Sequence, residues 1–210
     1  MEDKQFSKTP LFTSRAITSR YGLEDRLSSY LRLILEHNQK INLVSRETSF
    51  QDLIGIAADS LVPFEFLDAP SGRIFDIGPG AGFPSLVIAL AFPGVECVLI
   101  ERTKKKAAFL VRIVDLLGLA AEVIDADFVE ASSRLQPSSF DYGFLKLVRP
   151  DRKLLHRALG LLTSSGRFIY FGGPERTGAD FTGGLELERF DYYLDDCEQL
   201  RTITAISKRR

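Results

Sequence analysis

The sequence predicts an α/β fold with a doubly wound, mainly parallel sheet and a helical extension at its N-terminus. From residue 73 onward, short apolar runs alternate with segments of helical periodicity, as parallel strands joined by crossover helices require. A glycine-rich loop joins the first of these runs, residues 73–77, to a helix, which is the layout of a ligand crevice in such sheets. At 210 residues, the chain is long enough for one such domain with a substantial appendage.

Residues 1–72 are predicted to form the helical extension. Apolar side chains recur at three- and four-residue steps over residues 23–38, which marks an amphipathic helix, and a second helix is predicted over residues 50–67. The polar start of the chain predicts either a loose arm or a short helix. A turn cluster, Asp-Ala-Pro-Ser-Gly, ends the extension at residue 72, so residues 73–210 are predicted to form the core domain.

The core is predicted to contain seven strands. Besides the first strand, the pattern predicts strands at residues 95–100, 121–125, 140–146 and 167–171, helices at 84–90, 103–117 and 151–162, and a closing antiparallel pair at 185–193 and 200–207. Gly118 ends the helix before the third strand, as a left-handed residue at a helix C-terminus would.

Three glycines at alternate positions, Gly78, Gly80 and Gly82, follow the first strand. Glycine permits positive φ angles and close approach of the backbone, so the N–H groups of this loop could hold a ligand. The spacing is G-x-G-x-G and differs from the G-x-G-x-x-G of dinucleotide-binding proteins, which argues against a nicotinamide dehydrogenase. On this feature alone, a tight surface turn explains the glycines equally well.

An acid, Glu101, follows the second strand, about 20 residues beyond the loop. At that place in a βαβ unit, a carboxylate can accept hydrogen bonds from both ribose hydroxyls of a nucleotide-like ligand. Glu101 could also be a capping or first-turn acid of the next helix, and the two roles are compatible. The loop and the acid occur together at the right separation, which favours the ligand role.

The composition is that of an ordinary globular protein. A net charge of −1 gives no long-range basic field, so a nucleic-acid surface would have to be a local patch. Two cysteines and two histidines, far apart in the sequence, predict neither a disulfide framework nor a metal site. No signal peptide or long apolar run is visible, so we expect a cytoplasmic chain that binds neither a membrane nor a metal.

Five strands with crossover helices and a final hairpin resemble the seven-stranded, Rossmann-like fold of class I methyltransferases, which use S-adenosylmethionine. The resemblance implies that the glycines face the methionine and ribose of this cofactor. Asp127, after the third strand, would accept from the adenine amino group, with Phe128 against the ring; a helix cap and a core side chain are the alternatives, and both stay open. Transfer of an activated methyl group needs in-line approach more than acid–base groups, which fits the lack of a recognisable triad.

More specific motifs resemble the GidB family, whose members methylate guanine N7 in small-subunit ribosomal RNA. The resemblance covers residues 27–207, nearly the whole chain. Its parts are, in order, Asn38-(x)3-Asn42-Leu43, Asp59-Ser60-Leu61, Asp76-Ile77-Gly78-Pro79-Gly80-Ala81-Gly82-Phe83-Pro84, and Glu101 followed by Lys104-Lys105-Lys106 and Phe109-Leu110. The most specific part is the end of the glycine loop, Gly82-Phe83-Pro84.

The resemblance implies a site for each substrate. For S-adenosylmethionine it implies Asp76, Gly78, Pro79, Gly80, Gly82, Phe83, Glu101, Arg102, Asp127, Phe128, Val129 and Glu130. For ribosomal RNA, free or in the small subunit, it implies the substrate-binding residues Asn42, Asp59, Ser60, Lys146 and Arg149. Lys146 and Arg149 are also the catalytic candidates, and a monomer is expected.

Four positions depart from the family's pattern. Ile56 stands in place of a histidine, Phe128 in place of an arginine, Lys146-Leu147 in place of arginine and alanine, and Gly172-Gly173 in place of lysine and glycine. Lysine is a point charge and does not replace the planar fork of arginine. Two alternatives therefore stay open: a methyltransferase with another acceptor (another RNA, a protein or a small molecule), and a cofactor-binding module without catalysis.

Contacts with RNA phosphates are predicted for a set of basic residues: Arg46, Lys104, Lys105, Lys106, Lys146, Arg149 and Arg152. A lysine run on a helix is more often a solvated face, which is the alternative for residues 104–106. The loop at residues 172–184 is either a substrate lid or a disordered link.

Overall fold

A sheet with helices on both faces positions the site. The computed structural model describes residues 9–176, 184–196 and 198–209, so most of the predicted loop at 172–184 lies outside the described residues. The strands are β1 Leu11–Phe12, β2 Arg73–Ile77, β3 Glu96–Ile100, β4 Ala121–Ile124, β5 Phe140–Leu145, β6 Leu162–Tyr170, β7 Leu185–Leu194 and β8 Arg201–Lys208. The helices are α1 Ser14–Arg20, α2 Glu24–Asn38, α3 Phe50–Leu61, α4 Ser85–Ala91, α5 Lys104–Leu117, α6 Phe128–Ser132 and α7 Arg152–Leu161, with 3₁₀ turns at Val62–Glu65 and Pro174–Arg176.

The strands follow the order β1-β7-β8-β6-β5-β2-β3-β4 across the sheet. Strands β2 to β6 pair in parallel, and β8 runs antiparallel to both β6 and β7. Strand β2 pairs with β3 on one side and with β5 on the other, so the winding reverses there. Ligands bind such sheets in the crevice at the carboxyl ends of the strands flanking that point. The predicted doubly wound α/β fold is confirmed.

The sheet has eight strands, one more than predicted. The added strand is β1, which pairs in parallel with Tyr193 and Leu194 of β7. Just beyond β7, the Asp195 carboxylate accepts hydrogen bonds from the Ser14 N–H, at 2.7 Å, and from the Ser14 hydroxyl, which fixes the start of α1. A strand of two residues is too short to show the alternation of apolar and polar side chains by which strands are predicted.

Each face of the sheet has its own core. Ile74 and Leu99 belong to a buried cluster with α2, α3, α4 and α5, whereas Phe75 and Val98 belong to a cluster with α6 and α7. Successive side chains of a strand alternate between the faces, so both clusters draw on the same strands. The N-terminal helices therefore pack into the same core as α4 and α5, and the division at residue 72 stays a prediction.

Local signals determine where the helices begin and end. Helix α3 begins at a capping box, in which Ser49 and Asp52 each accept a hydrogen bond from the other's backbone N–H. It ends before residue 67 because Pro63 has no N–H with which to continue the helix, and a 3₁₀ turn follows. Helix α5 ends at Gly118, whose φ of 60° is left-handed as predicted.

Among the described residues, no helix is long and apolar enough to cross a membrane. In the same part of the chain, no group of three or more His, Cys, Asp or Glu side chains is placed to hold a metal ion.

Candidate active site

The glycine loop after β2 leaves open space where side chains would otherwise stand. Gly78 and Gly80 adopt φ angles of 70° and 59°, in the left-handed region that favours glycine. A Cβ atom added to either residue would meet no other atom within 4 Å. The Gly78 N–H donates to the Ile100 carbonyl at 2.9 Å, which ties the loop to the end of β3. The loop is therefore an open cradle at the carboxyl edge of the sheet.

This cradle is one wall of a cavity of about 460 Å³, which we call the cofactor cavity. The cavity extends from the ends of β2 and β3 to the turn after β4 and the start of α7. Its lining includes these residues predicted for the cofactor: Gly78, Gly80, Glu101, Arg102, Asp127, Phe128 and Val129. The fold thus brings three separate sequence motifs to one cavity.

Glu101 joins the glycine loop to the start of α5. The residue is only 5% exposed, and its carboxylate accepts from the Gly80 N–H at 3.1 Å and from the Thr103 N–H at 2.8 Å. Glu101 therefore ties the glycine loop to the backbone at the start of α5, and it also lines the cofactor cavity. A carboxylate has about four lone-pair sites, so acceptor capacity remains for hydroxyl groups of a ligand.

In the turn after β4, Asp127 is a helix cap and Phe128 is a core side chain, which are the structural alternatives given for them from the sequence. The Asp127 carboxylate caps α6 by accepting from a backbone N–H two residues on, at 2.8 Å. Phe128 is buried and stacks on Phe75, with ring centroids 6.2 Å apart and planes 10° apart. Both residues also line the cavity, and contacts with adenine stay a prediction. Glu130 instead forms an exposed ion pair with Arg134.

Other residues predicted for the cofactor lie behind the loop. The Pro79 carbonyl accepts from the Gly82 N–H at 2.8 Å, which closes a turn. A Cβ on Gly82 would overlap the Tyr30 hydroxyl and lie 2.6 Å from Leu86 Cδ1. Phe83 is buried, and its ring centroid lies 5.9 Å from that of Tyr30. Gly82 and Phe83 therefore fit the loop to α2 and α4, and their predicted contact with the cofactor stays a prediction.

Asp76 is fully buried beneath the loop. Its Oδ2 atom accepts from the Ser85 N–H at 3.2 Å, and its Oδ1 atom has no hydrogen-bond partner among the described residues. Burial raises the pKa of this carboxyl to about 7, against the lowering effects of Ser85 and Lys146. Asp76 therefore changes its charge near neutral pH.

A second cavity, of about 410 Å³, is built around Asp59, and we call it the acceptor cavity. Asp59 accepts hydrogen bonds from Lys146 Nζ at 2.7 Å, Arg201 Nη1 at 3.0 Å and Tyr192 Oη at 2.7 Å. The Lys146 side chain is 9% exposed, and its Nζ lies 4.5 Å from the centre of the Phe171 ring. Four parts of the chain, α3, the segment after β5, β7 and β8, meet at this one carboxylate.

The charges of this cluster are set by its burial and its pairing. Burial would raise the pKa of Asp59, but the Lys146 ammonium and the Arg201 guanidinium hold that pKa below its ordinary value. Burial and the nearby Asp59 charge raise the pKa of Tyr192. Asp59 is thus ionised while Tyr192 keeps its proton. Because three protein donors engage it, Asp59 positions the two cations. It also lines the acceptor cavity, and its contact with a substrate stays a prediction.

The other residues predicted for RNA have varied surroundings. Ser60 is fully buried and its hydroxyl donates to the Ile56 carbonyl at 2.8 Å, so Ser60 presents no surface to a substrate. Asn42 is exposed in the turn after α2. Arg149 is exposed and lines a third cavity, of about 490 Å³, together with Leu147.

Sequence reasoning missed Tyr192 and Arg201. They lie 133 and 142 residues beyond Asp59, and only the pairing of β7 and β8 with the rest of the sheet brings them to α3. No local pattern distinguishes them from other polar residues of the hairpin. Asn38 carried a detectable signal as the first residue of a motif: its Oδ1 accepts from two backbone N–H groups of the following turn, at 2.9 and 3.1 Å.

The structure shows the contacts of two residues that depart from the family pattern, Ile56 and Gly172. Ile56 offers its backbone carbonyl to Lys146 Nζ at 3.5 Å. The Gly172 carbonyl accepts from the Thr204 hydroxyl at 2.7 Å, and a Cβ on Gly172 would crowd the Tyr170 ring at 2.7 Å. Glycine therefore allows the segment after β6 to pack closely against its neighbours.

The doubly wound sheet, with a cavity at its carboxyl edge, has the fold of the class I methyltransferases. Within that class, the chain belongs to the GidB family, because the family model described as rRNA small subunit methyltransferase G matches residues 23–177. A relative of that name from Syntrophomonas wolfei is 29% identical over 197 residues, which cover 90% of this chain and 92% of the relative. Another, from Wolinella succinogenes, is 36% identical over 154 residues, which cover 73% of this chain and 77% of the relative.

Solved structures share the fold at low sequence identity. The O-methyltransferase TomG from Streptomyces achromogenes, in complex with S-adenosylmethionine, aligns with a TM-score of 0.64 and 16% identity over 93% of this chain and 96% of that chain. An rRNA methylase from Streptococcus thermophilus aligns with a TM-score of 0.53 and 14% identity over 72% and 93% of the respective chains. These likenesses concern the fold alone.

Proposed function

We propose that this chain transfers the methyl group of S-adenosylmethionine to N7 of a guanine in small-subunit ribosomal RNA. The observation that carries the proposal is the cofactor cavity over Gly78, Gly80 and Glu101, at the carboxyl edge of the sheet. Membership of the GidB family supports ribosomal RNA as the acceptor. An RNA acceptor of this kind agrees with the predicted cytoplasmic location.

The residues present fit the cofactor. Gly78 and Gly80 leave the space that a bound nucleoside would need, and Glu101 presents a buried carboxylate suited to ribose hydroxyls. Asp127 and Phe128 line the far side of the cavity, where a purine ring would find an acceptor and an apolar surface. When bound, S-adenosylmethionine supplies an activated methyl group on a sulfonium.

The chain's own contribution to the acceptor is orientation. Lys146 Nζ has three N–H donors, of which the Asp59 carboxylate and the Ile56 carbonyl engage two. The remaining donor suits a carbonyl oxygen, and guanine presents O6 next to N7 on one edge. A hydrogen bond from Lys146 to O6 would hold N7 at a fixed place without any proton transfer. Orientation of this kind accounts for much of the rate of a displacement reaction.

The basic residues predicted for phosphate contacts lie mainly on the surface. Arg46, Lys104, Lys105, Arg149 and Arg152 are exposed, and Lys106 is partly buried beside the cofactor cavity. Because the net charge is −1, these residues, and not a long-range basic field, would supply the attraction for RNA.

Methylation of small ribosomal subunits from cells that lack the gene tests the proposal. With S-adenosylmethionine present, we expect the wild-type protein to convert one guanine to 7-methylguanine, detected by mass spectrometry of digested rRNA. Lys146→Met should lower the single-turnover rate about 100-fold and leave cofactor affinity nearly unchanged. Lys40→Ala, an exposed lysine after α2, is the matched control and should have wild-type activity.

Two results would contradict the proposal. A methyl group found on a protein, a small molecule or another nucleotide would assign another acceptor. Cofactor binding without transfer to subunits or to free rRNA would indicate a binding module without catalysis.

A further inference from the structure

Leu147 has a backbone conformation that its side chain disfavours. Its φ is 64°, in the left-handed region that residues other than glycine, Asn and Asp rarely adopt. Among the described residues, the other non-glycine positions with positive φ are Ser138 and Asp195. Asp195 has a compensating role, because its carboxylate holds Ser14. No contact in the described part of the chain gives Leu147 such a role, since its side chain is 94% exposed.

The position of Leu147 is as unusual as its conformation. It follows β5 at the carboxyl edge of the sheet and lines both the acceptor cavity and the third cavity. The next residue, Val148, lines the third cavity and the cofactor cavity. The segment from Lys146 to Arg149 is therefore a ridge between the place where the cofactor fits and the place where the acceptor fits.

The ridge presents apolar surface among charged groups. Val148 is 47% exposed, and Leu200, which lines the acceptor cavity, is 48% exposed. In the sequence, Lys146 and Arg149 flank Leu147 and Val148. Glu175, which lines the acceptor cavity and the third cavity, pairs with Arg189 at 3.5 Å. A single exposed leucine is ordinary, but an exposed leucine in a strained conformation at a functional edge indicates a role that appears with a ligand.

We propose that Leu147 is an apolar wedge that packs against the face of an RNA base beside the acceptor guanine and helps to draw that guanine out of its stack. This inference rests on the proposed function. A stacked base cannot approach a cofactor held inside a cavity, so it must first leave its neighbours. Proteins that unstack bases often insert an aliphatic side chain into the gap. Bases offer flat apolar faces on an anionic chain, which fits an apolar tip close to the exposed Arg149.

The test uses Leu147→Gly, Leu147→Ala and Leu147→Met, with Leu116→Ala as the control for an exposed leucine, 60% exposed on α5. Melting temperature, cofactor affinity, affinity for small subunits that lack the methyl group, and the single-turnover rate at saturating subunits are measured for each. We expect the rate to fall about ten-fold in the glycine and alanine variants, because unstacking is no longer assisted. Leu147→Met should keep at least about half of the rate, since methionine preserves an apolar tip.

The remaining measurements separate this role from a structural one. The melting temperature of Leu147→Gly should equal or exceed that of the wild type, because glycine adopts a φ of 64° without strain. Cofactor affinity should not change in any variant. Equal rates in all variants would overturn the wedge while leaving the proposed function intact. Loss of subunit affinity with a normal rate at saturation would also overturn it, by assigning Leu147 to docking. A wild-type protein that does not methylate subunits would remove the proposed function and the wedge together.

Discussion

The cofactor cavity and the acceptor cavity are built in opposite ways. The cofactor cavity owes its shape to backbone and to missing side chains: Gly78 and Gly80 leave space, and Glu101 is held by two backbone N–H groups. The acceptor cavity owes its shape to side chains that hold one another, with Asp59 at the centre of three donors.

Because of this difference, we expect the two cavities to tolerate different kinds of substitution. The cofactor cavity needs an empty volume, so adding a methyl group to the loop should do more harm there than removing a side chain. The acceptor cavity needs a complete set of paired charges, so removing one member leaves another buried and unpaired. Each region should therefore respond to a different kind of substitution.

The largest expected effect comes from removing the centre of the acceptor cavity. Asp59→Ala leaves the nearly buried Lys146 without its counter-ion, which should lower the free energy of unfolding by about 3–5 kcal/mol in urea titrations. Glu130→Ala removes one partner of an exposed ion pair and should cost less than about 0.5 kcal/mol. If both variants were equally stable, the Asp59 cluster would not be the structural centre described here.

The next effect tests the empty volume of the cofactor cavity. Gly80→Val should weaken binding of S-adenosylmethionine about 100-fold or more, measured by isothermal titration, because the added carbons occupy the cradle. Gly118→Val is the matched control: its φ of 60° nearly equals the 59° of Gly80, and a Cβ there also meets no atom within 4 Å, but it ends α5 away from the cavity. Equal losses of affinity would show that backbone strain, and not occupied space, is responsible.

A smaller effect concerns the pH dependence of stability beneath the loop. The folded chain holds the Asp76 proton up to a pKa of about 7, whereas an unfolded chain releases it near pH 4. Folding therefore binds a proton in this window, and the free energy of unfolding should fall by on the order of 2 kcal/mol or more as the pH rises from 4 to 7. Asp76→Asn should lack this fall, as chemical denaturation at several pH values would show. Parallel curves for the two proteins would contradict the raised pKa.

The smallest expected effect concerns the exposed lysines that are predicted to contact RNA phosphates. Replacing Lys104 and Lys105 together by alanine should weaken RNA binding a few-fold and reduce the slope of log affinity against log salt by at most about 2. Lys40→Ala is the control for loss of an exposed lysine. An unchanged slope would assign residues 104 and 105 to a solvated face, the alternative considered from the sequence.

The difference between the cofactor cavity and the acceptor cavity also explains how much of each could be predicted from the sequence. The strand, glycine loop and acid of the cofactor cavity are close in the chain, and their chemistry is visible in residue types such as Gly80 and Glu101. The acceptor cavity joins α3 to the C-terminal hairpin, so Tyr192 and Arg201 carry no local signal. Long-range pairing decides their position, and a single sequence does not reveal it.

Even within the loop, sequence showed the need for glycine but not its reason. Gly80 faces open space, whereas Gly82 avoids overlap with Tyr30 and Leu86. The direction of a missing side chain depends on the helices packed around the loop, which here are α2 from the N-terminal part of the chain and α4 directly after the loop. The family motif predicts a cofactor contact for Phe83; the structure shows that the residue is buried in the core, and the contact stays a prediction.

A crystal structure of the chain grown with S-adenosylhomocysteine tests the central claim most directly. We predict density for the nucleoside along Gly78 and Gly80, with both ribose hydroxyls within hydrogen-bond distance of the Glu101 carboxylate. Density at another place, or a cofactor cavity that stays empty at millimolar ligand, would contradict the assignment of this cavity.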